Sequence, residues 1–357
     1  TLLASSSCSG NSIVSGQTCR YVYPADLQIL PEAKRDGLLA RFDLKLSENF
    51  RVFSEALYSR HELTARIAPA PGTVLLKAGS PYYAQYLQPY GVPVEADALV
   101  AWRLGDAGRR ATRDVAEATH LSAGFSAVQA GWDTQASLTH SLNRWTATLQ
   151  SGYLYSDALR SAIGSGLLNP FVPVGQQSAA AKALIDAARV SADYQYRLGT
   201  TYLDAFQIQA SRELFSLPAG GVQLGVGFDI RRERDRYEPS ALAQGLEQGG
   251  VFPDQASDAS FDVARTTWGA FAEVLAPLAR HLEASAALRH DHYSDFGATS
   301  NAKLGARWNP IPEFLLRASI NTGFHAPQPA QMSGVTQRDG VTAYQYSCPF
   351  AAGDPRS

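Results

Sequence analysis

Four consecutive stretches of the sequence decide the fold: WGAFAEV (268–274), LEASAALR (282–289), NAKLGARWN (301–309) and FLLRASIN (314–321). In each of them one set of alternate positions is apolar and the other set is polar or small apart from Phe271 and Leu315, which is the period of a β-strand with two unlike faces. The second faces of the last three stretches carry Arg, Lys, Glu or Asn and are too polar for the dry core of a β-sandwich. A closed sheet with lipid outside and water or polar protein inside accommodates both faces.

Turn-forming residues separate these strands and several earlier ones. Short connections are predicted at 47–49, 129–131, 216–221, 276–280 and 310–313, and long ones at 65–114, 156–190 and 238–261. Short and long connections alternate along the chain, except for a short link at 294–298. In a meander this places the long connections at one end, as in barrels with short periplasmic turns and long extracellular loops. The pattern predicts an all-β fold, an antiparallel up-and-down transmembrane β-barrel that is partial, with about ten strands.

Composition agrees with a membrane-facing sheet and argues against other classes. The 357 residues carry a formal net charge of -2, and 18% of them are charged, against roughly 25% in soluble domains. This balance supplies no basic patch for a nucleic acid, so no such partner is expected. No run of about 18 apolar residues occurs, so any membrane-spanning part is expected to be a barrel. The chain starts at Thr1 without a signal segment and ends without a closing strand, so we expect an excerpt of a longer protein.

The strand pattern divides the chain into three parts. Residues 1–34 are expected to be an extracellular loop segment, 35–327 the partial barrel, and 328–357 the start of another long extracellular loop. Cys8 and Cys19 flank a polar loop and are candidates for a disulfide in an oxidising compartment, with two unrelated thiols as the alternative. The odd count of three cysteines is consistent with Cys348 pairing beyond the excerpt.

Four local features lie between or at the ends of strands. The apolar phase flips near Asn143, which predicts a β-bulge there. The Ala-rich piece 178–188 predicts a short helix with Ser178 as its N-cap. The tyrosines of segment 82–90 either pack on their own loop or contact an aromatic or sugar ligand. The mixed-charge run 231–236 is either a solvated strand end or a contact with anionic lipid headgroups.

The motifs predict no catalytic, cofactor or metal site. There is no Gly-x-Ser-x-Gly elbow and no phosphate loop of the P-loop type. The run His-Asp-His at 290–292 places two imidazoles on one face, either as a metal pair or as rim histidines, and the strand phase favours rim histidines on the exterior. Six charged residues are expected to face the lumen, where they contact a plug, water or substrate: Arg231, Glu273, Arg289, Lys303, Arg307 and Arg317.

Several motifs resemble the barrel of TonB-dependent outer-membrane receptors. They are LPAGG (217–221), GFDIRRE (227–233), AEV (272–274) with PL (277–278), and ASINTGFHAP (318–327). The last motif is the most specific, and it differs from the family pattern in having His325 where Arg is common. The likeness covers most of residues 35–327.

The resemblance implies a barrel of about 22 strands that lies in the outer membrane of a Gram-negative bacterium and contacts its lipid. It also implies an N-terminal plug domain, absent from this chain, whose TonB box contacts the TonB–ExbB–ExbD complex. The implied function is active uptake of a scarce small-molecule or oligomeric nutrient bound at extracellular loops, which is transport rather than enzyme catalysis. A surface enzyme or adhesin displayed on a barrel without TonB coupling is the alternative, and the fold does not identify the ligand.

Overall fold

The computed structural model describes residues 12–334, apart from 16–17, 92, 94, 96 and 253–257, so Cys8 and Cys348 lie outside the described residues. Within these limits the strands are β1 (Ser12–Ser15), β2 (Thr18–Tyr21), β3 (Glu32–Ser47), β4 (Phe50–Ile67), β5 (Pro71–Leu76), β6 (Ala98–Arg103), β7 (Arg110–Gln129), β8 (Trp132–Ser151), β9 (Leu154–Tyr155), β10 (Tyr194–Leu217), β11 (Gly220–Pro239), β12 (Val251–Phe252), β13 (Phe261–Ala279), β14 (Leu282–Tyr293), β15 (Gly297–Ile311) and β16 (Phe314–Asn321). The helices are α1 (Ser156–Gly164), α2 (Ala179–Ala187) and α3 (Pro329–Met332), with further helical turns at Tyr23–Asp26, Tyr83–Leu87, Gln88–Tyr90 and Gly105–Ala107. None of the described helices has the length and apolar character needed to cross a membrane.

Ten of these strands form one antiparallel sheet in the order β16-β15-β14-β13-β11-β10-β8-β7-β4-β3. Each strand pairs with the next long strand of the chain, so the connectivity is up-and-down, and β3 and β16 lie at the two edges. The predicted fold class, an all-β antiparallel sheet of a partial barrel, is therefore confirmed. Strand β10 has 24 residues, more than the roughly 9 to 11 that cross a bilayer, so it extends well beyond the thickness of a membrane.

Two-residue turns join the strands at one end of the sheet. They lie at 48–49, 130–131, 218–219, 280–281 and 312–313. Four of them fall within the predicted short connections, whereas the turn at 280–281 lies later than the predicted 276–280, because β13 continues to Ala279. In the second of them Ala130 and Gly131 both have positive φ, 50° and 78°, as in the type I′ turn that matches the twist of paired strands. The other end of the sheet carries the long connections 68–109, 152–193 and 240–260 and the short one at 294–296. Strand β7 starts at Arg110, which lies inside the long connection predicted at 65–114.

The long connections pack together into one structure, which we call the loop cap and define as the described residues of 68–109, 152–193 and 240–260. The β5–β6 hairpin, α1, α2 and the β9–β12 pair contribute apolar side chains to its core, and Leu154 and Leu159 there are 0% exposed.

Helix α2 is the helix predicted from the Ala-rich piece. Its N-cap is confirmed, because the Oγ atom of Ser178 accepts a hydrogen bond from the N–H of Ala181 at 3.1 Å.

Three tyrosines of segment 82–90, namely Tyr82, Tyr83 and Tyr86, belong to the core of the loop cap. Tyr86 stacks on Phe171 with 4.8 Å between the ring centroids, and Tyr83 is 1% exposed. The hydroxyl of Tyr82 donates to the carbonyl oxygen of Gly166, and burial raises the pKa of Tyr82 above its ordinary value of 10.0. Of the two interpretations, packing within the loops is therefore confirmed for these three tyrosines.

The prediction of a β-bulge near Asn143 is wrong. Strand β8 pairs with both neighbours without interruption from His140 to Ala147, and its register against β7 shifts only at Gln150. Beyond Asn143 the strand keeps its phase, but its polar-side residues now lie under the loop cap, where Ala147 is 7% and Leu149 2% exposed. The apolar pattern changes side because the loop cap covers the polar face beyond Asn143. The backbone register does not shift there.

The N-terminal hairpin β1–β2 is joined to the loop cap through a buried carboxylate. Asp26 is 6% exposed, accepts a hydrogen bond from the hydroxyl of Tyr21, and pairs with Arg109 at 2.8 Å. Cys19 in β2 is disulfide-bonded, and its pairing with Cys8 stays a prediction.

Candidate functional site

The register of the ten-stranded sheet separates its side chains into two faces, because directly opposed residues of antiparallel strands lie on the same face. The apolar face is the one that carries the row Ala210, Val226, Ala272, Leu288 and Ala302. The polar face is the opposite one. Leu138, Leu288 and Ile320 on the apolar face are 63%, 66% and 73% exposed, so they form no dry sandwich core. A continuous exposed apolar face of this kind is typical of contact with lipid.

Aromatic clusters flank the apolar face at both ends. Near the short turns, Phe50 stacks on Phe125 at 5.7 Å, and Trp308 meets Phe314 edge to face at 6.3 Å. Near the loops, Trp268 lies against Phe228 at 6.5 Å. Along β14 the two levels are about ten residues apart, which for a tilted strand is roughly 25 Å, the height of the apolar band in outer-membrane barrels.

The histidines of the run 290–292 contribute to the cluster near the loops. The rings of His290 and His292 lie 5.6 Å and 5.7 Å from that of Trp268, and the Nδ1 atom of His290 is 2.9 Å from the hydroxyl oxygen of Ser300. Both imidazoles therefore lie on the apolar face of the sheet, as the alternation of residues along β14 predicted. The described residues contain no group of three or more His, Cys, Asp or Glu side chains arranged to hold a metal ion.

The six residues predicted to face the lumen all lie on the polar face. The register opposes Arg231 to Thr267, Glu273 to Ala287, Arg289 to Asn301, Lys303 to Ala287, and Arg307 to both Glu283 and Arg317. They are spread over five strands and do not converge on one point. Whether this face lines a lumen in the complete barrel stays a prediction.

Three of these six residues have carboxylate partners. Arg289 lies between Asp229 and Asp291 at 2.8 Å and 2.7 Å, Arg231 contacts Glu233 at 3.2 Å, and Arg307 contacts Glu283 at 3.2 Å. The other three have no ion pair or hydrogen bond with any residue that the structure describes: Glu273, Lys303 and Arg317. The polar face thus combines ion pairs near the loops, at Arg231 and Arg289, with one near the short turns, at Arg307, and with three charges that have no partner among the described residues.

The most buried arginine of the polar face was not among the predicted residues. Arg265 is 6% exposed and donates to Glu233 at 3.0 Å and to the carbonyl oxygen of Pro327 at 2.7 Å. Asp295 lies 3.6 Å from the same guanidinium, which also sits 5.5 Å from the ring centroid of Tyr293. Arg265 therefore joins β11, β13, the 294–296 turn and the segment after β16.

The segment 322–334 folds back across the polar face. Besides the bond from Arg265, the ring of Phe324 lies 6.0 Å from Tyr293 and 5.7 Å from Phe296, and α3 contacts β11 and β13. This segment contains the end of the ASINTGFHAP motif, so that part of the motif lies on the polar side of the sheet near its long-loop end.

The mixed-charge run 231–236 divides between the two faces. On the apolar side, beyond the aromatic cluster, Arg234 makes two bonds to Asp262 at 2.7 Å and 2.5 Å, and Arg236 contacts Glu238 at 2.7 Å. These pairs fit a solvated strand end. Contact with lipid headgroups stays a prediction.

These features define a class of protein: a β-barrel sheet of the outer-membrane type, with its long loops packed at one end. Residues 72–353 match the family model described as TonB dependent receptor-like, beta-barrel. The chain therefore belongs to the family of TonB-dependent receptor β-barrels, as the resemblance predicted.

Solved structures with a similar fold share little sequence with the chain. The RagAB peptide transporter is 9% identical with a TM-score of 0.47, and the match covers 82% of this chain and 33% of that one. The siderophore receptor PirA from Acinetobacter baumannii is 12% identical with a TM-score of 0.43, covering 83% and 34%. The ferric-catecholate import receptor Fiu from E. coli K12, in its open form, is 13% identical with a TM-score of 0.38, covering 82% and 40%. The chain thus spans 33% to 40% of the length of these structures, and no curated protein matches it.

Proposed function

We propose that this chain supplies barrel wall and loops to an outer-membrane active transporter that imports a scarce small-molecule or oligomeric nutrient. The observation that carries the proposal is the exposed apolar band between two aromatic clusters, backed by a charged face on the same strands. A sheet of this kind separates hydrocarbon from water, because lipid covers one face and a polar interior covers the other. Membership of the family adds the expectation of receptor-mediated uptake.

In this proposal the loop cap lies outside the cell and the two-residue turns lie in the periplasm of a Gram-negative bacterium. The nutrient binds from the loop side and passes along the polar face. A plug domain is expected to rest against that face, where Glu273, Lys303 and Arg317 have no partner among the described residues. Its TonB box would receive energy from the TonB–ExbB–ExbD complex, so transport would need the proton-motive force of the inner membrane.

The proposal is tested with the full-length protein expressed in a Gram-negative host. We expect it in the outer-membrane fraction, with the heat-dependent gel mobility of a β-barrel. Purified periplasmic domain of TonB should retain the detergent-solubilised protein, and deletion of the TonB box should abolish that retention without changing the gel mobility. A soluble protein, or retention that survives the deletion, would contradict the proposal.

A further inference from the structure

The polar face carries a small pocket at its long-loop end, with a volume of about 210 Å³. Its walls come from one row across four strands, in which Trp145, Gly199, Tyr237 and Phe261 are successive cross-strand partners. The glycine has no side chain, so a gap opens between the indole of Trp145 and the ring of Tyr237. An added Cβ at Gly199 would meet only the indole, at 3.5 Å, so nothing else occupies this gap.

Two of the aromatic walls are held in place by hydrogen bonds at their polar atoms. The Nε1 atom of Trp145 donates to Asp114 at 3.1 Å, and the hydroxyl of Tyr237 donates to Asp258 at 2.7 Å. The ring of Phe261 lies 5.7 Å from that of Tyr237. The rings are therefore pre-organised, which reduces the entropy lost when a ligand binds.

The next row of the same face adds polar groups to the pocket. Asn143 and Asp235 both line it, and each opposes Thr201 in the register. Asp235 makes no hydrogen bond or ion pair with any described residue, so its carboxylate is available to accept hydrogen bonds from a ligand. Arg236 also borders the pocket, but it belongs to the opposite face and pairs with Glu238 at 2.7 Å.

From this arrangement we infer that the pocket binds one ring of a neutral saccharide. A sugar ring presents C–H groups that pack on aromatic rings and hydroxyls that hydrogen-bond to a carboxylate and an amide, which is the combination of groups found here. The pocket has an unpaired carboxylate and no unpaired cation among its lining residues, so it repels an anionic ligand. This inference rests on the proposed import function and assigns it a substrate class.

The test uses the full-length protein in detergent and an array of neutral gluco-, xylo- and manno-oligosaccharides. We expect binding to at least one of them, with the dissociation constant raised about tenfold or more by Asp235→Asn and by Trp145→Ala, since each change removes roughly 1.4 kcal/mol or more. Gly199→Leu should abolish binding by filling the gap. Trp132→Ala and Asp133→Asn, at the opposite end of β8, are matched controls and should bind like the wild type.

Gel mobility before and after heating shows that each variant has folded. Absence of binding to any neutral oligosaccharide, or equal binding by the pocket variants and the controls, overturns the inference. A protein that still binds the periplasmic domain of TonB in that case retains its proposed import function with another substrate. If the protein binds saccharides through these residues but does not bind TonB, the saccharide site is supported and TonB-coupled import is contradicted.

Discussion

Replacing Arg265 by methionine is expected to release the segment 322–334 from the polar face of the sheet. The guanidinium is 6% exposed and makes two charged hydrogen bonds, to Glu233 at 3.0 Å and to the carbonyl oxygen of Pro327 at 2.7 Å. Only the second of these reaches the segment itself, so the predicted effect is local to 322–334. Methionine keeps much of the side-chain length but none of the donors.

The magnitude follows from the burial of these groups. A hydrogen bond to a charged group contributes about 1.5 to 3 kcal/mol, and the upper end applies to a guanidinium that is only 6% exposed. The ion pair with Glu233 lies within the sheet and is the same whether the segment is closed or open, so only the bond to Pro327 enters this difference. A loss of about 3 kcal/mol corresponds to a change of roughly 100-fold in the opening equilibrium.

Hydrogen exchange of the full-length protein in detergent measures this change. The reporters are the amides of Gln331 and Met332, which are hydrogen-bonded to the carbonyl oxygen of Gln328 in α3. We expect them to exchange about 100-fold faster in Arg265→Met, and less so in Arg265→Lys, which keeps the charge but loses the planar fork.

A second arginine on the same face provides the matched control. Arg307 and Glu283 are 45% and 38% exposed, so their contact at 3.2 Å contributes at most about 1 kcal/mol. Arg307→Met should therefore leave exchange in 322–334 nearly unchanged. If Arg265→Met also leaves it within about threefold of the wild type, the anchoring role of Arg265 is refuted.

Three further predictions concern the sheet, a turn and the N-terminal hairpin. Leu138→Arg on the apolar face should lower the stability of the protein in bilayers by about 2 to 4 kcal/mol, while the neighbouring Ser137→Arg on the polar face should have little effect, as measured by unfolding in urea from lipid vesicles. Gly152→Ala should lower the melting temperature by several degrees, because Gly152 has a φ of +73° and an added Cβ would lie 2.4 Å from a backbone carbonyl oxygen. The hydrogen bond from Tyr21 lowers the pKa of Asp26 below its ordinary value of 3.8, so its stabilising effect should be complete above pH 3.8 and be lost as the pH falls through the lower folded-state pKa. Hydrogen exchange in 18–26 at acid pH should detect this loss, and Asp26→Asn should remove the pH dependence.

The faces of the sheet could be predicted from the sequence because alternation is a local property. Each strand between two environments repeats its pattern every second residue, so Leu288 and Arg289 could be placed on opposite sides without knowledge of any other strand. The same reasoning located the turns, the helix α2 with its Ser178 cap, and the polar-face position of all six charged residues.

The anchoring role of Arg265 could not be predicted in this way. Its carbonyl partner at Pro327 is 62 residues away, and its carboxylate partner Glu233 is 32 residues away. No pattern within β13 distinguishes this arginine from the exposed ones, because its burial depends on a segment that returns across the sheet.

The sequence by itself determined which side chains lie on the apolar face of the sheet and which lie on the polar face, since the alternation along each strand is a local property. Only the tertiary structure decided that the long loops share one core, as when the side chain of Asn169 donates to the hydroxyl of Tyr86, 83 residues away. It also decided that the apolar phase change near Asn143 comes from the covering loops and that the gap at Gly199 forms a pocket. The physical reason is that each of these features depends on contacts between segments far apart in the chain, whereas the pattern of a strand reports only the surroundings of that strand.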